Sequence, residues 1–247
     1  MVLFCGFARG ATMSIAEPIH ANRILNALPH ATLARLRPSL MRVDTSYGQV
    51  LQHMDSRAEY LHFVDRGLIS LVKTMLDGRT VEISAIGIEG MTAPYASIGI
   101  ENVVLDSIVQ IPGTVYRIRR EIFSRELAHN EEIRKMMQRY ARFTIKQIVQ
   151  TAACNRLHSL EERCCRWLLM AHDSAQSRTF PLTHQLLSIM LGVQRSGVTI
   201  AATSLKKAGL IEYTRGYVSI LDRAGLEELS CECYASIRAQ IGEVFEG

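Results

Sequence analysis

The chain has 247 residues, 48% of them hydrophobic, with 28 Lys and Arg against 24 Asp and Glu and a formal net charge of +4. That length supports two domains with cores of their own, and the charge admits a nucleic-acid partner without requiring one. No uninterrupted apolar run approaches the roughly 20 residues that cross a bilayer, so a cytoplasmic protein with no membrane partner is expected.

The opening MVLFCGFARGATM lacks the charged start and sustained hydrophobic stretch of a signal peptide. Residues 1–20 are read as an extension, with Met13 an alternative start. From Pro18 to about Leu40 the apolar pattern Ile24, Leu25, Leu28, Leu33, Leu36, interrupted by Pro29, predicts two short helices. From Val43 to about Ile118 the texture changes to short β-prone runs punctuated by glycine. These are Val50-Leu51, Tyr60 to Val64 before Asp65-Arg66-Gly67, Leu68 to Val72, Thr80 to Ile86 after Asp77-Gly78, Leu105 to Ile111, and Thr114 to Ile118 after Pro112-Gly113. They predict an all-β barrel or sandwich.

Helical periodicity returns from Glu121 to about Asn155. The part from Glu131 is long, has no evident cap, and carries the stripe Ile133, Met136, Met137, Tyr140, Phe143, Thr144, Ile148, Thr151 and Ala152. A stripe of this length reaching beyond the β region is expected to pack against its copy in a homodimer. Asn155 to Ser159 breaks the pattern as a hinge, where His158 is either a pH-sensitive contact or a solvated polar residue. Leu160 to Ala171 resumes as a helix, with Ser159 and Glu162 spaced for a capping box.

After a polar loop, Asp173 to Thr179, the stretch Leu182 to Gly209 reads as two short helices around a turn at Gly192-Val193. Thr183 is placed to cap the first and Gly209 to end the second. Ser188 and Gly192 fall four and eight residues after His184, and Leu191, Val193, Val198 and Ala201 fall where steeply crossing helices touch. That is the spacing of a helix-turn-helix. The outer face of the second helix, Gln194, Arg195, Ser196, Thr199, Ile200, Thr203, Lys206 and Lys207, has no acidic residue and suits the major groove of double-stranded DNA. Two β-prone runs, Gly209 to Tyr213 and Tyr217 to Leu221, flank Thr214-Arg215-Gly216 as a wing with a cationic tip. A single last helix is expected from about Arg223 to Phe245.

Charge follows this division. The net is +1 for residues 1–130, +3 for 131–155, +4 for 156–223 and −4 for 224–247, so the positive excess lies from the long helix to the wing. The six cysteines include a Cys164-Cys165 doublet and Cys231-x-Cys233 but no CxxC pair. Thiol sensing, metal ligation and plain burial in helices are all compatible with them, and no chemistry, cofactor or metal site is assigned. No nucleophile elbow, P-loop, dinucleotide fingerprint or metal-ligand spacing points to an enzyme.

Taken in order, from about Asn22 to Leu221, the chain resembles the Crp/Fnr family of bacterial transcription regulators. The resemblance rests on Tyr60 to Gly67, Asp77 to Glu82 and Gly87 to Met91 in the β region, and on Leu191 to Ser196 through Leu210-Ile211 in the helix-turn-helix. It implies an α+β protein: a double-stranded β-helix, jelly-roll-like sensor domain (21–130), a dimerisation helix and hinge (131–156), and a winged helix-turn-helix domain with its C-terminal helix (157–247). It also implies a homodimer on a palindromic operator, with RNA polymerase as a further partner. The alternative is a ligand-sensing or protein-interaction module that has lost DNA binding.

Departures from the family's patterns bear on the signal. Gly87-x-Glu89-Gly90 imitates only the beginning of the phosphate cassette of the cyclic-AMP-binding members, and Thr80 to Tyr116 contains no Lys, Arg or His. The charged side chains there are Glu82, Glu89, Glu101 and Asp106, while Ile98, Ile100, Val103, Val104, Leu105 and Ile108 suggest an apolar filling. Arg117, Arg119 and Arg120 come after it, near the end of the last strand, and would serve a phosphate only through an unusual fold of the β region. The effector is therefore unknown and is expected not to be a cyclic nucleotide; with only Cys5 before Cys154, an iron–sulfur cluster is not expected either. In the cyclic-AMP receptor branch the recognition helix begins Arg-Glu and has a second arginine four residues after the Glu. Here those positions are Arg195, Ser196 and Ile200, which implies a different operator.

Overall fold

The β-prone runs pair into one antiparallel sheet in a computed structural model that describes residues 21–95, 99–100 and 102–245. The expected extension 1–20, with Cys5, Met13 and Pro18, and also Ile98 and Glu101, lie outside the described residues. The strands are β1 (Met41–Asp44), β2 (Val50–Gln52), β3 (Tyr60–Thr74), β4 (Thr80–Ile86) and β5 (Asp106–Arg119). They are ordered β1-β5-β3-β4, with β2 also on β5.

Two expected breaks are not breaks. Asp65-Arg66-Gly67 and Pro112-Gly113 have the composition of turns, yet β3 and β5 run through them as strands of 15 and 14 residues. The ladder shifts register at Val64/Arg66, Arg66/Leu68 and Leu68/Ile69, so glycine and proline here make facing bulges. Gly67 has φ of 99°, and a Cβ at Gly67 or Gly113 would collide with the backbone of the opposite strand.

Ahead of the sheet lie α1 (Arg23–Ala27) and α2 (His30–Leu36), divided at Pro29 as expected. Asn22 caps α1 through the Leu25 amide and donates its side-chain amide to the carbonyls of Val64 and Gly90, each at 2.8 Å. After the sheet come α3 (Arg120–His129) and α4 (Glu131–Leu157). The start of α4 is in fact capped, because Asn130 Oδ1 accepts from the amides of Glu132 and Ile133.

The stripe on α4 is not free to form a two-fold interface. Ile133, Met136, Met137, Tyr140, Phe143 and Thr144 are all at most 3% exposed within the chain, and Ile148 and Thr151 are half-buried. The first five pack with Ile24, Leu25, Leu61, Phe63, Met91 and Phe123, and the Tyr140 hydroxyl bridges the Met91 amide and carbonyl at 3.0 and 3.2 Å. The chain's own β region and helices cover this face. On the other side of α4, Ile145, Val149 and Leu157 are exposed, and Ala152, expected on the stripe, is exposed with them.

The hinge is two residues, His158 and Ser159. Ser159 and Glu162 close the expected capping box at the start of α5 (Leu160–Ala175). Then follow β6 (Thr179–Pro181), α6 (His184–Leu191), α7 (Arg195–Lys207), β7 (Ile211–Thr214) and β8 (Tyr217–Ile220). The expected polar loop thus ends in a strand: β6 pairs with β8, and Phe180 enters the core. The expected last helix is two, α8 (Arg223–Leu229) and α9 (Cys233–Phe245). The second leaves the helix-turn-helix and packs Ile237 and Val244 into the core of α1 and α4.

The two halves share a core. Leu68, Val72, Ala85 and Ile111 from the sheet cluster with Trp167, Leu168, Met190 and Leu191. At that junction Trp167 Nε1 donates to Glu82 Oε1 at 3.1 Å, and the Ser70 hydroxyl donates to the other carboxylate oxygen. Glu82, expected in the lining of the sensor pocket, faces α5 instead.

Candidate nucleic-acid interface

Short-range sequence signals build the helix-turn-helix. Thr183 Oγ1 caps α6 by accepting from the Leu186 amide at 3.1 Å. Gly192 ends it at φ of 65°, where a side chain would be strained, and the Val193 amide then donates to the Ser188 carbonyl at 3.0 Å. The axes of α6 and α7 meet at 110°, within the range of a helix-turn-helix. Leu186, Leu187, Leu191, Val198, Ala201 and Leu205 are buried and hold the pair together.

His184 ties this unit to the wing. Its ring packs edge-on against Tyr213 with centroids 4.9 Å apart, and its Nδ1 lies 3.0 Å from Thr199 Oγ1. Burial, then the Arg195 charge, lowers the pKa of His184 and favours a neutral ring. The wing tip is a tight turn with φ of 50° at Arg215 and 84° at Gly216.

All nine expected DNA-contacting residues are exposed: Gln194, Arg195, Ser196, Thr199, Ile200, Thr203, Lys206, Lys207 and Arg215. Ile200 is 73% exposed in the middle of the polar face. The Thr199 and Thr203 hydroxyls donate to the carbonyls of Arg195 and Thr199, so toward a ligand they present acceptors and methyl groups. Lys206 Nζ pairs with Glu212 Oε1 on β7 at 2.6 Å. Tyr217, half exposed beside the wing tip, is a candidate contact that the sequence pattern did not mark.

In the β domain a narrow pocket is lined by Leu61, Leu71, Ala93, Tyr95, Ile100, Val103, Val104 and Leu105, with Gln52, Asn102, Ser107 and Arg120 as polar members. Arg120, expected outside the pocket, is its one charged lining residue among those described, and is 7% exposed. Arg117 and Arg119 lie over the Tyr60 ring instead. The Gly87–Gly90 loop faces α4 and α5, not this pocket, and Glu89 Oε1 accepts from the Gly87 amide at 2.8 Å. Burial raises the Glu89 pKa.

Residues 162–229 match the family model of the Crp-like helix-turn-helix domain. The whole fold is similar to that of three solved structures. A regulator assigned to the Crp/Fnr family from Eubacterium rectale is 18% identical, with a TM-score of 0.63 over 83% of this chain and 96% of its own. FixK2 from Bradyrhizobium japonicum is 14% identical, with a TM-score of 0.64 over 78% and 98%. TTHB099, a transcriptional regulator of the CRP family from Thermus thermophilus, is 18% identical, with a TM-score of 0.62 over 76% and 96%.

Residues 162–229 thus form a Crp-like helix-turn-helix domain, and the chain as a whole shares the fold of these Crp/Fnr-family structures. No curated protein sequence matches it. Among the described residues no single helix is long and apolar enough to cross a membrane.

Proposed function

We propose that this regulator binds a palindromic operator as a homodimer, reading sequence with α7 and responding to a signal other than a cyclic nucleotide. The observation that carries the reading is the bare face of α7: nine exposed residues including the wing tip, none of them acidic, on a helix held at the crossing angle that fits a major groove. Arg195, at the first position of α7, has the fork that matches O6 and N7 of guanine, and Ile200 offers apolar contact to a thymine methyl. Ser196 is shorter and less selective. Lys206, Lys207 and Arg215 take phosphates, with Gln194, Thr199 and Thr203 supplementing the base contacts. RNA polymerase as a partner rests on the likeness to transcription regulators, which also favours a regulator over an enzyme.

The dimer in this reading uses the outer strip of α4. Ile145, Val149 and Ala152 recur at four and three residues, are exposed, and lie roughly opposite the buried stripe at 100° per residue. Cyclic nucleotides are disfavoured because the pocket is narrow and mostly apolar, so most of a nucleotide's polar groups would be buried there without partners. The pocket has one guanidinium beside an otherwise uncharged lining. The backbone amide of Gly87 already serves Glu89.

Selection of bound sequences from random DNA by the full chain, with and without cyclic AMP or cyclic GMP, tests this. Half-sites one helical turn apart, roughly 34 Å between centres, with no change on adding nucleotide, are expected. Failure to enrich any sequence would leave the ligand-sensing or protein-interaction module as the better reading.

A further inference from the structure

Four side chains that carry no role in DNA reading converge at the hinge. Cys154 lies in the last turn of α4, His158 is the residue that ends it, Cys231 lies in the break between α8 and α9, and Cys233 opens α9. The three sulfurs and one imidazole nitrogen all lie within 4.8 Å of one another. Cys154 and Cys233 are fully buried, Cys231 is 4% exposed, and the His158 side chain is 17% exposed.

Their spacing is that of a coordination shell. Zinc bonds of about 2.3 Å to sulfur and about 2.0–2.1 Å to nitrogen, arranged tetrahedrally, put two sulfurs about 3.8 Å apart and a sulfur about 3.5 Å from a nitrogen. Here Cys154 Sγ and Cys231 Sγ are 3.6 Å apart, and Cys233 Sγ is 3.5 Å from His158 Nδ1.

The surroundings match as well. His158 Nε2, the nitrogen turned away from the sulfurs, is 3.2 Å from Glu232 Oε2, so a carboxylate takes the outer N–H and leaves Nδ1 as the ligand. Gln150 Nε2 donates to Cys233 Sγ at 2.9 Å. Three thiolates, a neutral imidazole and a divalent ion sum to one negative charge, and the Arg166 guanidinium, which reaches both Cys154 and Thr151, lies beside it. The Cys154 thiol is pulled down, chiefly by the hydrogen bond from Cys231 and against its burial, with His158 and Arg166 adding to the effect. In contrast, burial pushes Cys165 up to about 12 and raises Cys164 too, so that doublet is inert.

We propose that Cys154, His158, Cys231 and Cys233 form a closed, four-ligand site for Zn2+, whose binding displaces the protons still held by the ligands and fastens the hinge to the start of α9. Three sulfurs and a nitrogen in a tetrahedron select zinc over harder divalent ions, and four protein ligands leave no open position for catalysis.

The test uses the full chain, reduced and freed of metal by a chelator, with circular dichroism to verify folding. Titration with Co2+ is expected to saturate at about one equivalent, with thiolate-to-cobalt charge transfer and the strong visible bands of tetrahedral cobalt. Zn2+ should then erase the bands and raise the melting temperature. Cys233→Ser and His158→Ala should lose tight binding and the shift, whereas Cys5→Ser should keep both. Folded wild-type protein that takes up no cobalt, a weak octahedral spectrum, or an unchanged spectrum in Cys233→Ser would each overturn the site.

Discussion

The long helix α4 and the recognition helix α7 use the same 3.6-residue periodicity in opposite ways. On α7 the apolar side chains lock onto α5 and α6, and the polar face is left bare. On α4 the richest apolar stripe is consumed by the chain's own core, and a thinner strip of Ile145, Val149 and Ala152 stays outside. An apolar stripe therefore shows that a helix packs, but not against which chain. Its burial decides that. Substitutions on each face separate lost stability from lost binding.

The largest effect is expected at Tyr140. Glutamate there would put an unpaired charge in a dry core and remove both hydrogen bonds to Met91, at a cost of about 3–5 kcal/mol in stability. Val149→Glu, on the outer strip, should change chain stability by less than about 0.5 kcal/mol while dissociating the dimer and abolishing operator binding. Denaturant melts and sedimentation separate the two. A Val149→Glu protein that remained dimeric would remove the outer strip from the interface.

Next comes the contact between the halves. Burial raises the Glu82 pKa to about 7, against the opposing pull of Ser70, Arg166 and Trp167. The folded value lies above the ordinary 4.5, so the native state holds the proton more tightly than the unfolded chain. The corresponding stability is fully present below pH 4.5 and is lost as pH rises through about 7. Glu82→Gln mimics the protonated carboxyl at every pH. The wild type should therefore lose stability relative to this variant between pH 5 and 8, and parallel melting curves across that range would contradict the assignment.

The helix-turn-helix was legible in the sequence because its determinants are local. Thr183, Ser188, Gly192 and Gly209 lie within one short stretch, and each acts through a cap, a close approach or a positive φ. The β domain was legible in kind but not in strand count. Gly67 and Pro112-Gly113 carry the residues of turns, and only the facing strand shows them to be bulges. The buried face of α4 and the cysteine cluster were beyond reach for one reason: their partners are remote. Cys154 meets Cys231 across 77 positions, whereas a short, repeated ligand spacing is what a sequence pattern can register. The available clues were Cys154-x3-His158, two ligands one helical turn apart, and the Cys231-x-Cys233 pair.

On the outer face of α7 the effects should fall on affinity and leave stability alone. Arg195→Ala is expected to cost about 1–3 kcal/mol at the best operator and to flatten the preference at one base pair of each half-site. Equal weakening on every DNA sequence would show that Arg195 holds a phosphate and that the base reader lies elsewhere on α7.

The smallest effect distinguishes a phosphate contact from that reader. Lys206 and Lys207 are adjacent in the last turn of α7, but Lys206 is already paired with Glu212 across the start of the wing. An exposed pair of this kind contributes only about 0–1 kcal/mol to folding, so losing either lysine should leave the melting temperature almost unchanged. For binding, the charge on Lys207 displaces counterions from the DNA backbone whatever the sequence. Lys207→Ala should therefore weaken all sites alike and reduce the slope of log K against log salt by about one unit. Glu212→Gln should do the reverse, releasing Lys206 to a phosphate and steepening the slope. A Lys207→Ala protein with an unchanged slope and an altered base preference would move Lys207 from the backbone to the base edges, and would extend the reading surface to the C-terminal turn of α7.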